Sequence, residues 1–235
     1  MVRACGRGLA RRGRRDSWGD PPGGGKDCGQ LPPGMRGFLS TLMAPSPGLS
    51  RTTGLPRAAA LGQTMAMTWL PADFVHPTRA PAGEGHHLRP ITAADVGLDY
   101  PAVMGSQPRL WSIFGPAWGW PAASMTYEHD AEDLARHEAE IAAHQSFNYA
   151  LFDNAETALL GCVYIDPPEK QGADAEICWW VVDEQVGTDL QHALDARVPQ
   201  WIATAWPFTR PRYIGRDLSW ADWLALPDVD PPRGG

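Results

Sequence analysis

Residues 175–202 read AEICWWVVDEQVGTDLQHALDARVPQWI. The run from Ile177 to Val182 is apolar without a helical period, which reads as a buried strand. Asp183, Glu184 and Gln185 then break it. After the break Leu190, Leu194 and Val198 fall four apart, and Trp201 and Ile202 continue the stripe, which reads as an amphipathic helix. Thr188 and Gln191 have the T-x-x-Q spacing of a capping box, with Gly187 just before it. Pro199 is expected to kink or divide this helix.

Working upstream, FNYALFD (147–153) and ALLGCVYID (158–166) form a hairpin pattern joined by NAET. MTYEHDAEDLARHEAEIAAHQ (125–145) predicts a helix with Thr126 as N-cap and acids in its first turn. Its apolar stripe, Tyr127, Leu134 and Ile141, is thin, so the helix should lie at the surface with one edge on a sheet. RLWSIFGPAWGWP (109–121) looks too broken by Gly and Pro to be one element. TAADVGLDYPAVMG (92–105) predicts a helix capped by Thr92, with Pro101 as a point of division, and HLRPIT (87–92) a short strand. Downstream, RPRYIG (210–215) reads as a short strand and SWADWLALP (219–227) as a short helix. Helices collected on a mostly antiparallel sheet make an α+β layer fold.

Charge divides the chain. Residues 1–60 hold ten Lys and Arg against three Asp, a balance of +7; the remainder holds ten basic residues against 24 acidic ones, −14, giving the net −7 of the 235-residue chain. An acidic globular part repels nucleic acid and anionic membranes, so neither is expected as a partner. Residues 1–66, rich in Gly, Pro and Arg, are expected to be a disordered tail, or to lie upstream of a natural start at Met65 or Met67. Residues 67–85 then form an N-terminal arm, 86–226 the folded domain and 227–235 a C-terminal tail. Cys5, Cys28, Cys162 and Cys178 show no CxxC or His-containing ligand spacing, so no disulfide framework or metal site is expected. His137 and His144, with Glu140 between them, read as a solvated helix face. No run approaches the roughly 18 apolar residues of a membrane span, and a cytoplasmic protein is expected.

The order of these stretches resembles the GNAT N-acetyltransferase superfamily over about residues 86–214. HLRPITAADV is similar to its first strand and helix, FNYALFD and ALLGCVYIDPP to its second and third strands, AEICWWVVDE to the fourth, and GTDLQHALDARVPQWI to the helix that follows. The resemblance implies acetyl-CoA as cofactor, an amine of a small molecule or peptide as acceptor, and transfer of an acetyl group between them. In that family the fourth strand splays from its neighbour. The pantetheine arm pairs with its backbone, here Trp180, Val181 and Val182, and the pyrophosphate rests on the helix start, here Gly187 and Thr188. Glu176 matches the place of a catalytic Glu in some members, and Trp111, Phe114, Trp118 and Trp120 fall where an acceptor site is often built.

The same residues carry departures from the family. The phosphate pattern Q/R-x-x-G-x-G/A is reduced to a single Gly187, with Asp189 at the helix start and no Lys or Arg before Arg197. A carboxylate about 5 Å from a phosphate costs about 3 kcal/mol at an effective dielectric of 20. About thirty residues follow the helix, too few for the usual closing elements. A second reading therefore stands beside the enzyme: a non-catalytic relative that binds an aromatic or apolar ligand between its Trp residues or serves a structural role. For each site residue there is also a plain structural reading, Glu176 as an acid at the start of a strand and the Trp residues as loop staples.

Overall fold

A computed structural model describes residues 69–229. The expected tail, 1–66, and the last residues of the C-terminal tail lie outside the described residues. The elements run β1 (Ala80–Gly83), β2 (His86–Pro90), a 3-10 turn (Ala93–Asp95), α1 (Val96–Gly105), α2 (Gln107–Trp118), α3 (Tyr127–Ala142), β3 (Phe147–Asp153), β4 (Leu159–Asp166), β5 (Ala175–Val181), a 3-10 turn (Asp183–Gln185), α4 (Asp189–Ala205), β6 (Pro211–Tyr213) and α5 (Trp220–Leu224). One six-stranded sheet holds them in chain order, β1 to β6, with every neighbouring pair antiparallel except the parallel β5–β6 pair. This is a GNAT-like α+β arrangement.

Helices cover both faces, which is why β3 and β5 are buried almost throughout instead of alternating. On one face Cys162 of β4 lies against Asp99 of α1, and Tyr164 accepts a hydrogen bond from Trp180 Nε1. On the other, Tyr149 packs its ring against Trp201 of α4, and Trp179 Nε1 donates to Asp195 of the same helix. Leu190, Leu194, Val198 and Ile202 are all buried, as their spacing predicts. α4 runs undivided through Pro199. Burial of that stripe on both sides of the proline outweighs the roughly 3 kcal/mol that an interior proline costs. α1 likewise continues through Pro101.

Two expectations need correction. The segment 109–121 is one helix up to Trp118, not a broken loop. Pro108 falls in the first turn, where its missing N–H is not needed, and Leu110 and Phe114 bury one face. A Cβ at Gly115 would sit 2.8 Å from the Trp111 ring, which would have to shift. The stretch 67–85 is not merely an arm, because it supplies β1, and Tyr149 Oη donates to Pro77 O at 2.6 Å while Trp69 stacks on Phe208. A second glycine sets the spacing of the sheet: at Gly161 a Cβ would lie 2.1 Å from Trp180 O, so only glycine lets β4 approach β5 there.

Between α1, α3 and β4 lies a buried pair of acids, Asp99 and Asp130, both largely removed from solvent. Burial, and then the neighbouring Asp130 charge, push Asp99 well above the ordinary carboxylate value. Burial pushes Asp130 up to about 6, opposed by its contact with Asp99 and aided by Asp133. The other charged neighbours are already paired, Asp95 with Arg89 and Asp133 with Arg136, and Cys162 faces the pair from β4. A carboxyl with a raised folded-state pKa holds its proton more tightly folded than unfolded. Its stabilising contribution is therefore complete below the ordinary value of 3.8 and is lost as pH rises, through about 6 for Asp130. Urea unfolding of the wild type should lose on the order of 2 kcal/mol between about pH 4 and pH 7 from this pair. Asp99→Asn should flatten that slope and be the more stable protein near pH 7; an unchanged slope would show that the pair is not the titrating group.

Candidate functional site

The β5–β6 pair is short. Ala175, Glu176 and Ile177 face Pro211, Arg212 and Tyr213, and Ile214 N–H donates to Ile177 O at 2.9 Å. Beyond that bond the strands part. The chain turns at Gly215, whose φ of 79° is in the left-handed region, and Gly215 N–H donates to Leu218 O at 2.7 Å. The parting opens a cavity of about 170 Å³. Cys178, Trp179 and Trp180 of β5 form one wall, Ile214, Gly215, Arg216 and Trp220 the other. Arg109, Ile113 and Phe114 of α2 and Gln191 of α4 complete it.

The wall on β5 presents backbone as well as side chains. Val182 N–H donates to Leu160 O of β4 at 2.9 Å, so by the alternation of an antiparallel ladder Trp180 also turns its backbone to β4, and Val181 turns its carbonyl to the cavity side. Of the three residues expected to offer backbone to a cofactor, only Val181 faces the parting; Trp180 and Val182 are committed to β4. The Val181 carbonyl already has a donor, Arg109 Nη2, and the Arg109 Nε donates to Asp183 Oδ1 at 2.5 Å. Across the cavity Arg216 lies over the Trp179 ring at 4.6 Å and pairs with Asp195 at 3.0 Å, the same carboxylate that accepts from Trp179 Nε1 at 2.7 Å. Two guanidinium groups thus flank the opening. Neither is evident near the turn in the sequence, because Arg109 comes from α2 and Arg216 from the segment after β6.

Two amides just before the helix are satisfied from within. Gly187 N–H donates to Gln191 Oε1 at 2.6 Å, and Thr188 N–H donates to Gln185 O at 3.2 Å. The expected Thr188–Gln191 capping box is therefore displaced by one residue: Gln191 caps Gly187, while the Thr188 hydroxyl donates to Gln185. Gly187 and Thr188, expected to receive a pyrophosphate, have their amides engaged.

Glu176 is not a residue of the cavity. Its carboxylate is 4% exposed and accepts from Arg212 Nη1 at 2.8 Å, Trp223 Nε1 at 2.9 Å, Glu169 N at 3.1 Å and Lys170 N at 3.4 Å. A base must have a free lone pair within reach of the proton it takes. With four donors on two oxygens and almost no exposure, the assignment of Glu176 as the base is corrected to a structural anchor.

Three of the four aromatic residues expected to form an acceptor pocket do meet. Phe114 stacks on Trp118 with centroids 5.2 Å apart, and Trp120 approaches Phe114 edge-on. Trp180 and Trp220 join them. Only Phe114 of the four reaches the cavity, and Trp111 stands apart, 44% exposed over Gly115. Cys178 faces the cavity with its thiol pushed up by burial, which keeps it protonated and a weak nucleophile. His137 bonds Glu140, and no group of three metal-ligating side chains occurs among the described residues. Nor is any described helix long and apolar enough to cross a membrane.

No family model matches this chain, and neither does any curated protein. Solved structures with a similar chain path include a ribosomal-protein-S5-alanine acetyltransferase from Vibrio fischeri, 17% identical, with a TM-score of 0.48 over 63% of this chain and 81% of that one. The apo form of a ribosomal L7/L12 alpha-N-protein acetyltransferase is 15% identical, with a TM-score of 0.43 over 53% of this chain and 65% of that one. Spermidine N-acetyltransferase from Vibrio cholerae, solved with CoA and spermine, is 13% identical, with a TM-score of 0.38 over 51% of this chain and 64% of that one. Neither activity nor substrate follows from likenesses this distant. The fold assignment rests on the strand order and the parallel β5–β6 pair themselves.

Removing one partner of a buried, hydrogen-bonded ion pair typically costs about 3–5 kcal/mol. Glu176→Ala should therefore lower unfolding stability by about that amount in denaturant titration. Wild-type stability in the variant would return Glu176 to the list of candidate bases.

Proposed function

We propose that this chain is an acetyl-CoA-dependent N-acetyltransferase acting on an amine in the cytoplasm, with its cofactor in the parting between β5 and β6. The observation that supports the reading is the parting itself. A parallel pair that separates after Ile177 leaves strand backbone without a strand partner beside a cavity, and the Val181 carbonyl, bonded by Arg109, lies on the edge of β5 turned away from β4. An extended arm bearing amides can add to such an edge as a strand would. Arg109 and Arg216 flank the opening, each already paired with a carboxylate, Asp183 and Asp195. The fit is uneven: an open strand edge suits a pantetheine arm, whereas the engaged amides of Gly187 and Thr188 do not suit a pyrophosphate.

When bound, acetyl-CoA supplies an acyl group activated as a thioester. This chain's own part is to hold and orient. The β5 edge would hold the arm, and Trp179, Trp180, Trp220 and Phe114, which line the cavity, would exclude water from it. Excluding water strengthens every polar contact to a developing oxyanion. The attacking nitrogen must arrive neutral, and no carboxylate or imidazole is among the cavity-lining residues to deprotonate it.

A second reading is favoured by one set of contacts. The Gly187 and Thr188 amides and the Val181 carbonyl all have internal partners, as expected of a relative that binds a flat apolar ligand between Phe114, Trp180 and Trp220 without acyl transfer. Calorimetric titration separates the two. The enzyme reading expects CoA and acetyl-CoA to bind the full chain in the micromolar range and free CoA to be released when amines are added. No heat at millimolar CoA from folded protein would sink it in favour of the ligand-binding relative.

A further inference from the structure

We infer that Arg109 is an internal competitor for the ligand edge of β5, so that a ligand pairing with Val181 must first displace its guanidinium. The inference rests on the cofactor reading above and adds a control element to the same site. Arg109 Nη2 donates to the Val181 carbonyl, which otherwise turns toward the opening where β5 and β6 part. The contact is charge-assisted, and such bonds are roughly twice as strong as neutral ones. Arg109 Nε is held at the same time by Asp183, two residues beyond Val181, and Asp183 N–H is in turn fixed by Ser106 Oγ at 3.0 Å. Ser106 immediately precedes α2, the helix that carries Arg109. One short unit of α2 and the segment after β5 thus clasp across the end of the strand.

The clasp is built to open. The Arg109 side chain is 28% exposed and Asp183 45%, so the pair is screened and each partner can be hydrated once released. Arg109 is also among the residues lining the cavity, so its guanidinium occupies space an incoming arm would use. Because Asp183 neutralises it in place, the guanidinium in this position acts less as an attraction for phosphate than as a cover for the strand edge.

The test compares CoA binding by calorimetry for the full-length wild type, Arg109→Met, which keeps the aliphatic stem but not the guanidinium, and Asp183→Asn, which loosens the clasp without touching the carbonyl. Thermal unfolding confirms that each is folded. Binding at least tenfold tighter by Arg109→Met, with Asp183→Asn shifted in the same direction, is the expected result. If the wild type binds CoA and neither variant binds it more tightly, the competitor role is overturned while the cofactor reading stands. If none of the three proteins binds at millimolar CoA, both are overturned. Should Arg109→Met fail to fold, Asp183→Asn alone decides by the same criterion.

Discussion

A single buried carboxylate organises the C-terminal third of this molecule. Glu176 sits at the start of β5 with Arg212 beside it on β6, the indole N–H of Trp223 on α5 and two backbone amides of the preceding loop all directed at its two oxygens. A buried charge is tolerable only when paired and fully hydrogen-bonded. Satisfying it draws together β5, β6, α5 and the loop before β5. β6 is three residues long and α5 five, well below what either would need to form alone.

The position of that anchor determines where the sheet opens. Arg212 faces Glu176 in the parallel register, and one residue further on Tyr213 faces Ile177. After that the chain must leave the sheet: Tyr213 N–H goes to Asp217 Oδ1 and its carbonyl takes the amides of Arg216 and Asp217. The tight turn caps the outer edge of β6, which blunts it against pairing with another strand. It also swings Arg216 over Trp179, where it joins Asp195. The cavity, its aromatic walls and its two guanidinium groups are thus consequences of a strand pair fixed at one end and turned away at the other.

Much of the fold was legible from local pattern. Leu190, Leu194 and Val198 announced α4, and Thr126 with its following acids announced α3, because these signals act over one or two helical turns. β1 was not legible, since Ala80-Pro81-Ala82-Gly83 has no β-branched or aromatic residue; β2 and α4 specify it, and a Cβ on Gly83 would touch Ala193 at 3.4 Å. α2 was hidden by Gly115 and Pro116, whose cost is met by burial of Leu110 and Phe114. The site was less legible than the fold for the same reason. Arg212 and Trp223 are 36 and 47 residues from Glu176, and Arg109 is 72 from Val181, so no local spacing reveals that one carboxylate is engaged or that one carbonyl is covered.

Glu176 thus holds the C-terminal segment to the sheet beside the opening at β5. Amide hydrogen exchange on the full chain, wild type against Glu176→Gln, tests it most directly, because exchange reports local opening element by element. Exchange over 169–172 and 211–224 should be faster in the variant, with β1 to β4 protected as before. Equal protection of the C-terminal segment in both proteins would contradict it.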